Sequence, residues 1–486
     1  MMDSSAHQAI ARVGAAFLIL LTMTAAATFY WGILRGPELS ARPDNPRRVM
    51  ADRMTRRGRI LDRIGVVLAE TVFEDGQPRR RYPLHEAAPV TGYQTWRYGA
   101  GGTAGASYGA GGAEAAYDLA LRGDLGRSVG AIAASALFDR ARDGHDIVLT
   151  VDAGLQREAA ARLGSGAGRA GAAVVVRVAD GAVLALASAP SFDPGALDSG
   201  ATVPPTALLN RATVGRYPPG STWKAVTLAA ALDAGIAGEG DIREDGSAVE
   251  AFGGYAVQCN NAPEGVLSFD LLHAFAYSCN VTFARLGVQL GAERYRRSVA
   301  SFALEETPPF PLGTVAGSLS RDAELGLPEL ASAAFGQGEL LVTPLYMALV
   351  AAAIAGDGAL RSPYLLADVP GVRWSSIADE RGTWRRAMSP GIARRVRHAM
   401  VVSARDGWAR SAGIGRADGF TFGGKTGTAE VGDGQPPHAW FIGFAPADEP
   451  IVAVAVLVEH GGEGARVAAP IGGGLLEAAL ADDPGG

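Results

Sequence analysis

The stretch Tyr217-Pro218-Pro219-Gly220-Ser221-Thr222-Trp223-Lys224 decides how the rest of the chain is interpreted, because it contains one of only two lysines among 486 residues. The other is Lys425, and the rest of the 44 basic residues are arginines. Arginine stays protonated in proteins, whereas a partly buried lysine can lose its proton and act as a base. The two lysines are therefore candidates for chemistry.

Each lysine lies in a short motif. Ser221 and Lys224 form Ser-x-x-Lys, and Lys425 opens Lys-Thr-Gly-Thr. Between them lies Ser278-Cys279-Asn280. The order S-x-x-K, S-x-N, K-T-G resembles that of penicillin-recognising serine acyltransferases. The alternative, two lysines that survive on solvated faces, requires all three motifs to occur in this order by chance.

The first motif predicts an activated serine. Residues three apart share one face of a helix, so Lys224 is expected one turn above Ser221, within reach of its hydroxyl. A serine hydroxyl is a poor nucleophile until an adjacent base takes its proton. Burial and the nearby cation of Lys425 are both expected to lower the pKa of Lys224. Gly220 permits the tight entry to this helix.

The resemblance implies roles for the other motif residues. Ser278 would relay a proton between Lys224 and the leaving amine, although a helix-end cap is its alternative role. Asn280 would orient the substrate amide and Lys224. Substrate contacts would come from the third motif: Lys425 with the hydroxyls of Thr426 and Thr428 would bind a carboxylate, and Gly427 would let a substrate backbone lie close along the strand. The N–H groups of Ser221 and Thr428 would hold the oxyanion.

Two further segments resemble class B penicillin-binding proteins. Residues 57–69 match the R-G-x-I-x-D-R-x-G-x-x-L-A signature of the family's pedestal, with a strand that turns at 63–65. Residues 113–123 resemble a second family segment, with Ala113 in place of its leucine, and predict a helix that ends at Gly123. Its Glu114 either contacts cations of the linker or lies on a solvated face. The resemblance extends over residues 55–480 and is densest at the three motifs.

The function implied is that of a peptidoglycan D,D-transpeptidase. Ser221 would attack the penultimate D-Ala carbonyl of a stem peptide, and an amine from a neighbouring strand would resolve the acyl-enzyme. The resemblance implies β-lactam antibiotics as inhibitors, a membrane glycosyltransferase of the SEDS family as partner, and no metal or cofactor. Alternatives are a serine β-lactamase or D,D-carboxypeptidase on the same fold, and a non-catalytic penicillin-binding sensor or scaffold.

The length of the chain indicates several domains, and its net charge argues against one class of partner. The chain is too long for one ordinary domain, and a net charge of −6 with pI about 5.7 argues against nucleic-acid binding. We predict a tail and transmembrane anchor at 1–36, a pedestal with its linker at 37–150, and a transpeptidase domain at 151–486. Residues 37–150 are too few for a pedestal plus a fused glycosyltransferase. The 99–112 stretch, rich in Gly, Ala, Ser, Thr and Tyr, predicts a mobile loop.

The expected fold is α+β, a penicillin-binding or β-lactamase-like antiparallel sheet covered by helices. Apolar runs at 172–178 and 182–187 flank Asp180-Gly181, which predicts a β-hairpin. Further strands are predicted at 147–151, 421–428, 440–444 and 451–458. Helices are predicted at 153–163, capped by Asp152, and at 225–234 and 346–355. The strand runs are apolar on both faces, so helices are expected to cover the sheet on both sides.

The uncharged run 13–34 is long enough to span a bilayer and continues past the small residues at 25–27, so an uncleaved anchor is predicted over a signal peptide. One arginine precedes the run and five closely follow it, which alone would place the large domain in the cytoplasm. The chemistry of the motifs places it outside.

The two cysteines cannot make a zinc site. A disulfide between Cys259 and Cys279 is one alternative, and buried free thiols are the preferred one, because Cys279 lies within the middle motif. His438 invites comparison with a catalytic triad, but Lys224 already supplies a base, so packing is the expected role of His438. Glu430 is close enough in sequence to the third motif to shape the rim of the site.

Overall fold

A computed structural model describes residues 4–36, 56–98, 104–125, 143–164, 169–198, 201–243, 245–259, 262–320, 324–372, 381–413, 421–432 and 434–481. The predicted linker at 37–55 lies outside these residues.

The strands in chain order are β1 Ile60–Leu61, β2 Val67–Glu74, β3 Gln77–Arg81, β4 Gln94–Tyr98, β5 Ala104–Gly109, β6 Ile147–Leu149, β7 Gly171–Arg177, β8 Val183–Ala189, β9 Ile242–Arg243, β10 Val249–Phe252, β11 Tyr255–Gln258, β12 Phe269–Asp270, β13 Ala359–Arg361, β14 Leu366–Asp368, β15 Thr383–Arg386, β16 Gly423–Ala429, β17 His438–Ala445 and β18 Val452–Val458. The α-helices are Ser4–Phe29, Ala88–Thr91, Gly112–Ala116, Asp118–Leu121, Ala153–Gly164, Pro194–Asp198, Pro205–Leu208, Arg211–Val214, Lys224–Asp233, Leu271–Ala276, Asn280–Leu290, Ala292–Ser301, Leu327–Ala334, Pro344–Ala355, Pro390–Asp406 and Ala468–Ala481.

The N-terminal helix stands apart from the rest of the protein. It runs over Ser4–Phe29 and continues as a π-helical turn, Tyr30–Leu34. Its 28-residue segment His7–Leu34 is apolar, exposed along its length and long enough to cross a bilayer. The predicted apolar helix at this position is confirmed.

The N-terminal region is built on a five-stranded sheet of order β14-β6-β1-β2-β3. Strand β1 pairs antiparallel with β2 and parallel with β6. The Asp62 carboxylate accepts hydrogen bonds from the backbone N–H groups of Ile64 and Val66, which closes the predicted turn between β1 and β2. Strand β14 comes from the C-terminal part of the chain, so this sheet joins the two regions.

Two expectations for the N-terminal region were wrong in detail. Within the Gly-rich stretch, residues 104–109 form β5, which pairs antiparallel with β4 rather than forming a loop. Backbone hydrogen bonding needs no large side chains, so a partner strand orders even this sequence. The helix expected at 113–123 is two short helices, Gly112–Ala116 and Asp118–Leu121.

The C-terminal region is organised on an antiparallel sheet of order β16-β17-β18-β7-β8. The predicted hairpin of β7 and β8 is present, and the strands predicted at 421–428, 440–444 and 451–458 are β16, β17 and β18. Strand β16 lies at the edge, so one side of its backbone is unpaired within the sheet. The predicted α+β fold is confirmed.

Alternating side chains bury both faces of this sheet. Val174 and Val176 of β7 pack on one face with helices that include Pro344–Ala355. Val175 packs on the other face with the helices Ala153–Gly164 and Ala468–Ala481. Every residue of Pro344–Ala355 is buried, as its uniformly apolar sequence requires. Helices therefore cover the sheet on both sides, as predicted.

Candidate active site

The serine of the first motif lies in a tight turn. Residues Gly220–Trp223 form a 3₁₀ turn, and the α-helix begins at Lys224 rather than at Ser221 as predicted. Gly220 has φ of +54°, and an added Cβ there would lie 2.8 Å from the Thr428 carbonyl oxygen. Glycine is required here, because it allows both the left-handed backbone and the close approach to β16.

The side-chain nitrogen of Lys224 contacts oxygen atoms of Ser221, Ser278 and Asn280. Its Nζ lies 3.0 Å from Ser221 Oγ, 2.7 Å from Asn280 Oδ1, and 2.6 Å and 3.0 Å from the carbonyl oxygen and Oγ of Ser278. The lysine is fully buried. The predicted proximity of Lys224 to Ser221 is thus observed.

These partners suit a neutral amine. The carbonyl oxygen of Ser278 and Asn280 Oδ1 can only accept, so they take the two protons of a neutral amine and leave its lone pair for a hydroxyl proton. Burial, and then the charge of Lys425, lower the pKa of Lys224 well below its ordinary value. Lys224 therefore has both the position and the protonation state of a base for Ser221.

Ser278 is placed between the two lysines. Its Oγ lies 3.0 Å from Nζ of Lys224 and 3.0 Å from Nζ of Lys425. Ser278 adopts a left-handed φ of +63°, and the helix Asn280–Leu290 starts two residues later. Because the Ser278 hydroxyl lies between two amines, it does not serve as a helix-end cap.

Lys425 lies behind the wall of the cleft and not on its surface. It is fully buried, and its Nζ donates to Ser278 Oγ and to the Thr426 carbonyl oxygen. Burial lowers the pKa of Lys425 to about 7. The hydroxyl-bearing neighbours Thr426 and Thr428 line the cleft, whereas Lys425 lies behind them. Lys425 is therefore separated from the cleft by Ser278 and Thr426, which its Nζ contacts.

Gly427 is needed for a reason that the sequence did not reveal. An added Cβ would lie 2.8 Å from the Pro219 carbonyl oxygen and 3.0 Å from both Thr222 Cγ2 and Trp440 Cβ. The glycine thus lets β16 pack tightly against residues 217–223, which we call the nucleophile turn, and this packing holds Ser221 close to Thr428.

The motifs open onto a cleft of about 680 Å³. Ser221, Ser278, Asn280, Thr426 and Thr428 all line it. Other parts of the wall come from β11, from Trp408 and from Glu430 beside the third motif. The structure thus brings every predicted site residue to the cleft or directly beneath it.

A buried network supports the nucleophile turn and was missed by sequence reasoning. Glu459 Oε1 accepts hydrogen bonds from Arg211 Nε at 2.8 Å and from the Tyr217 hydroxyl at 2.6 Å. Trp440 Nε1 donates to the Pro218 carbonyl oxygen at 2.8 Å. Arg211 is buried and therefore requires an anionic partner, but nothing local identifies one 248 residues away.

The preferred expectation for the cysteines was wrong, because Cys259 and Cys279 form a disulfide with Cα atoms 4.7 Å apart. Cys259 directly follows β11, so the bond ties one wall of the cleft to the middle motif. Arg285 Nε also donates to Glu250 Oε2 of β10, which fixes the same hairpin to the helix Asn280–Leu290.

His438 has a packing role, as expected. Its Nδ1 accepts a hydrogen bond from the backbone N–H of His460, and its ring packs edge-on against Tyr217. Burial, and then the neighbouring His460, lower the pKa of His438.

A serine with a buried lysine one turn away, a second serine between two lysines, and a helix-covered antiparallel sheet together define a penicillin-recognising serine acyltransferase. Comparison with known proteins specifies the family. The family model described as penicillin binding protein transpeptidase domain matches residues 171–477. The peptidoglycan D,D-transpeptidase PbpA of Mycolicibacterium smegmatis is 34% identical, covering 98% of this chain and 99% of that protein. Its namesake in Mycobacterium tuberculosis is also 34% identical, over 96% and 97% of the two chains.

Solved structures agree. The ceftriaxone acyl-enzyme complex of penicillin-binding protein A from M. tuberculosis has a TM-score of 0.76 and 32% identity, covering 89% of this chain and all of that one. The penicillin G complex has a TM-score of 0.74 and 33% identity, covering 88% and 100%. The chain belongs to the penicillin-binding protein transpeptidase family, as a class B member.

Proposed function

We propose that this chain performs peptidoglycan D,D-transpeptidation through an acyl-enzyme on Ser221, with Lys224 as the base. The family assignment makes the chain a serine-type peptidoglycan D,D-transpeptidase that takes peptidoglycan stem peptides and β-lactams. One observation carries the residue assignment: Lys224 Nζ lies 3.0 Å from Ser221 Oγ, while two obligate acceptors take its other protons.

In acylation, the Ser221 hydroxyl proton moves to the lone pair of Lys224, and Oγ forms a bond to the penultimate D-Ala carbonyl carbon. A positioned general base of this kind contributes about 10²- to 10⁴-fold. The tetrahedral intermediate then collapses with cleavage of the C–N bond. The proton on Lys224 reaches the leaving D-Ala nitrogen through Ser278 Oγ, 3.0 Å from the amine.

The oxyanion is held by the backbone N–H groups of Ser221 and Thr428. The Thr428 carbonyl oxygen accepts a hydrogen bond from Gln337 Nε2, so it faces away from β17. In a strand, the N–H and C=O of one residue point to the same side, and the N–H of Thr428 therefore faces the open edge. Each oxyanion donor contributes about 10²- to 10³-fold in related reactions.

The acyl-enzyme is resolved by an amine of a neighbouring stem peptide. The amine attacks the acyl carbon, its proton passes back through Ser278 and Lys224, and Ser221 Oγ–H is regenerated. The hydroxyls of Thr426 and Thr428 bind the terminal carboxylate of the donor, with Lys425 behind them. Asn280 orients the substrate amide as well as Lys224. β-Lactams acylate the same Ser221 Oγ.

The test is labelling with fluorescent penicillin. Wild-type membranes should show one labelled band that disappears in Ser221→Ala at equal protein level. Labelling at full strength in that variant would remove Ser221 from the mechanism. Slow release of the label from the wild type supports a transpeptidase, whereas rapid release would indicate a β-lactamase or carboxypeptidase. Intact wall cross-linking in cells that make only Ser221→Ala would indicate a sensor or scaffold.

We further propose that residues 37–150 form a pedestal, that residues 151–486 form the transpeptidase domain, and that both lie outside the cytoplasmic membrane. The apolar helix His7–Leu34 and the Cys259–Cys279 disulfide support this orientation, since disulfides persist in oxidising compartments. A SEDS-family glycosyltransferase is the proposed membrane partner, on the class B resemblance. Protease digestion of intact spheroplasts tests the orientation, and co-purification from membranes tests the partner.

A further inference from the structure

The cleft-facing side of β16 continues beyond the third motif. Thr426, Thr428 and Glu430 line the cleft, whereas Lys425 and Gly427, which alternate with them, do not. Side chains two apart along an extended chain lie on one face and about 7 Å apart. The carboxylate of Glu430 is therefore the next side chain in the row after the Thr428 hydroxyl.

Glu430 gives this part of the cleft an uncompensated negative charge. The charged residues that line the cleft, in the described part of the chain, are Glu430 and Glu463. Glu463 forms a salt bridge with Arg466, with Nε and Oε2 3.0 Å apart. Glu430 is exposed and has no ion pair among the described residues. Lys224 and Lys425 are fully buried behind the wall of the cleft, and both are hydrogen-bonded to Ser278.

The proposed reaction sets the direction in which a stem peptide crosses this row. Gly220 is packed against the Thr428 carbonyl oxygen, so Ser221 and the scissile carbonyl lie level with Thr428. The C-terminal carboxylate of the donor extends toward Thr426. The remainder of the stem must then leave in the opposite direction, past Thr428 and toward Glu430.

We propose that Glu430 is a specificity-determining residue that binds the side-chain ammonium of the donor stem peptide, on the residue preceding D-Ala-D-Ala. This rests on the proposed function, in which an amine of a neighbouring stem is the acceptor. Donor and acceptor strands are chemically equivalent, so a donor that is not yet cross-linked carries the same free amine. A carboxylate without a cationic partner, one step along the strand from the carboxylate-binding hydroxyls, complements that ammonium.

The experiment compares two penicillins that differ in one charge: one whose acyl side chain ends in a primary amine, and its N-acetyl counterpart. Second-order acylation rates are measured on the full-length protein for wild type and Glu430→Gln. In Glu430→Gln we expect acylation by the amine compound to fall about five- to tenfold, as for a hydrogen-bonded ion pair in a cleft. Acylation by the N-acetyl compound should be unchanged, and the wild-type preference for the amine should weaken as salt is raised.

Glu463→Gln is the matched control, because Glu463 lines the same cleft but is paired with Arg466. It should leave both rates unchanged. Equal effects of Glu430→Gln on the two compounds, or none on either, would overturn the proposal. If acylation is unchanged but aminolysis of the preformed acyl-enzyme loses its preference for a cationic acceptor, the donor assignment is overturned and Glu430 belongs to the acceptor. Failure of both compounds to acylate the wild type would instead refute the proposed function.

Discussion

The buried cations of the N-terminal region and those of the active site have different surroundings. In the N-terminal region, Arg57 and Arg80 each hold one carboxylate oxygen of Glu114 at 2.6 Å, and all three side chains are buried. In the active site, Lys224 and Lys425 are equally buried, but their partners are hydroxyl, amide and carbonyl oxygens. No carboxylate in the described part of the chain forms an ion pair with either lysine.

Although Glu114 and Lys224 are equally buried, their surroundings favour a charged carboxylate for Glu114 and a neutral amine for Lys224. Burial alone would raise the pKa of Glu114, but the charges of Arg57 and Arg80 and their hydrogen bonds outweigh it and lower the pKa. For Lys224, burial and then the charge of Lys425 both lower the pKa. A compensated cluster stays ionised and holds strands together, whereas an uncompensated amine gives up its proton and can act as a base.

The largest expected effect comes from making the site resemble the cluster of Arg57, Arg80 and Glu114 in the proposed pedestal. Lys224→Arg keeps a cation that cannot lose its proton, so the acylation rate should fall about 10⁴-fold, near the upper end for loss of a general base. The measurement is the second-order rate of fluorescent-penicillin labelling. The matched control is Arg57→Lys in the pedestal, which should leave labelling unchanged. Near-normal acylation by Lys224→Arg would show that Lys224 is not the base.

Next in size is the reverse change, in which the pedestal loses its charge compensation. Glu114→Gln leaves Arg80 buried without an anionic partner among the described residues and Arg57 with Asp118 alone, so we expect the free energy of unfolding to fall by about 3–5 kcal/mol. Denaturant unfolding measures this, and acylation of the folded protein should be unaffected.

The control for that change is Glu293→Gln, which removes an exposed pair with Arg297 and should cost less than about 1 kcal/mol. Equal losses of stability in the two variants would contradict the distinction between compensated burial and surface pairing.

The network of Arg211, Glu459 and Tyr217 shares features with both the N-terminal cluster and the active site. Arg211 and Glu459 are a compensated pair like those of the pedestal, yet Glu459 also accepts the Tyr217 hydroxyl of the nucleophile turn. Tyr217→Phe removes only that hydrogen bond, so acylation should slow by about 10- to 150-fold, which corresponds to a bond to a charged group worth about 1.5–3 kcal/mol.

To separate positioning from general stability, the loss in Tyr217→Phe should appear in the maximal acylation rate and not in the concentration of penicillin that half-saturates it. Glu459→Gln should slow the same step and also destabilise the fold, because Arg211 loses its anion. An unchanged maximal rate in Tyr217→Phe would leave this network with a structural role alone.

Local rules account for much of the fold. The Asp180-Gly181 hairpin, the turn at 63–65 and the apolar runs that became β7 and β18 are set by neighbouring residues, and each was predicted. Strand β5 was not predicted, because its Gly- and Ala-rich sequence carries no apolar pattern and its pairing with β4 could not be foreseen from neighbouring residues. The residues 99–103 of the same stretch lie outside the described residues.

The site was predicted from rarity and motif order, not from local physics. Lysines at Lys224 and Lys425 stand out because arginine takes every other basic position, and the structure brings both to Ser278. The contacts that hold these residues in place were not predictable, since Arg211 meets Glu459 248 residues along the chain. The disulfide was judged from Cys279 alone, without knowing that β11 lies beside it.

The smallest expected effect is a pH dependence of stability that the active-site lysines should show and Glu114 should not. Burial lowers the pKa of Lys425 to about 7, whereas an unfolded lysine has a pKa of about 10.4. Between these two pKa values the unfolded chain binds more protons than the folded chain, so the free energy of unfolding rises with pH. The rise is up to about 1.4 kcal/mol per pH unit for each such lysine, and this gain in stability is lost as the pH falls through 7. Glu114, with its pKa lowered, stays ionised across this window and contributes no slope.

Denaturant unfolding of wild type and Lys425→Met from pH 7 to 9 measures this slope below the range where tyrosines titrate. The variant should show a shallower rise than the wild type and be more stable at pH 7, although its acylation is impaired. Parallel curves would mean that Lys425 is charged in the folded protein, and the contrast with the pedestal would then lose its physical basis. A shallower rise of stability in Lys425→Met than in the wild type would show that the buried Lys425 amine loses its proton in the folded protein and that this loss costs stability.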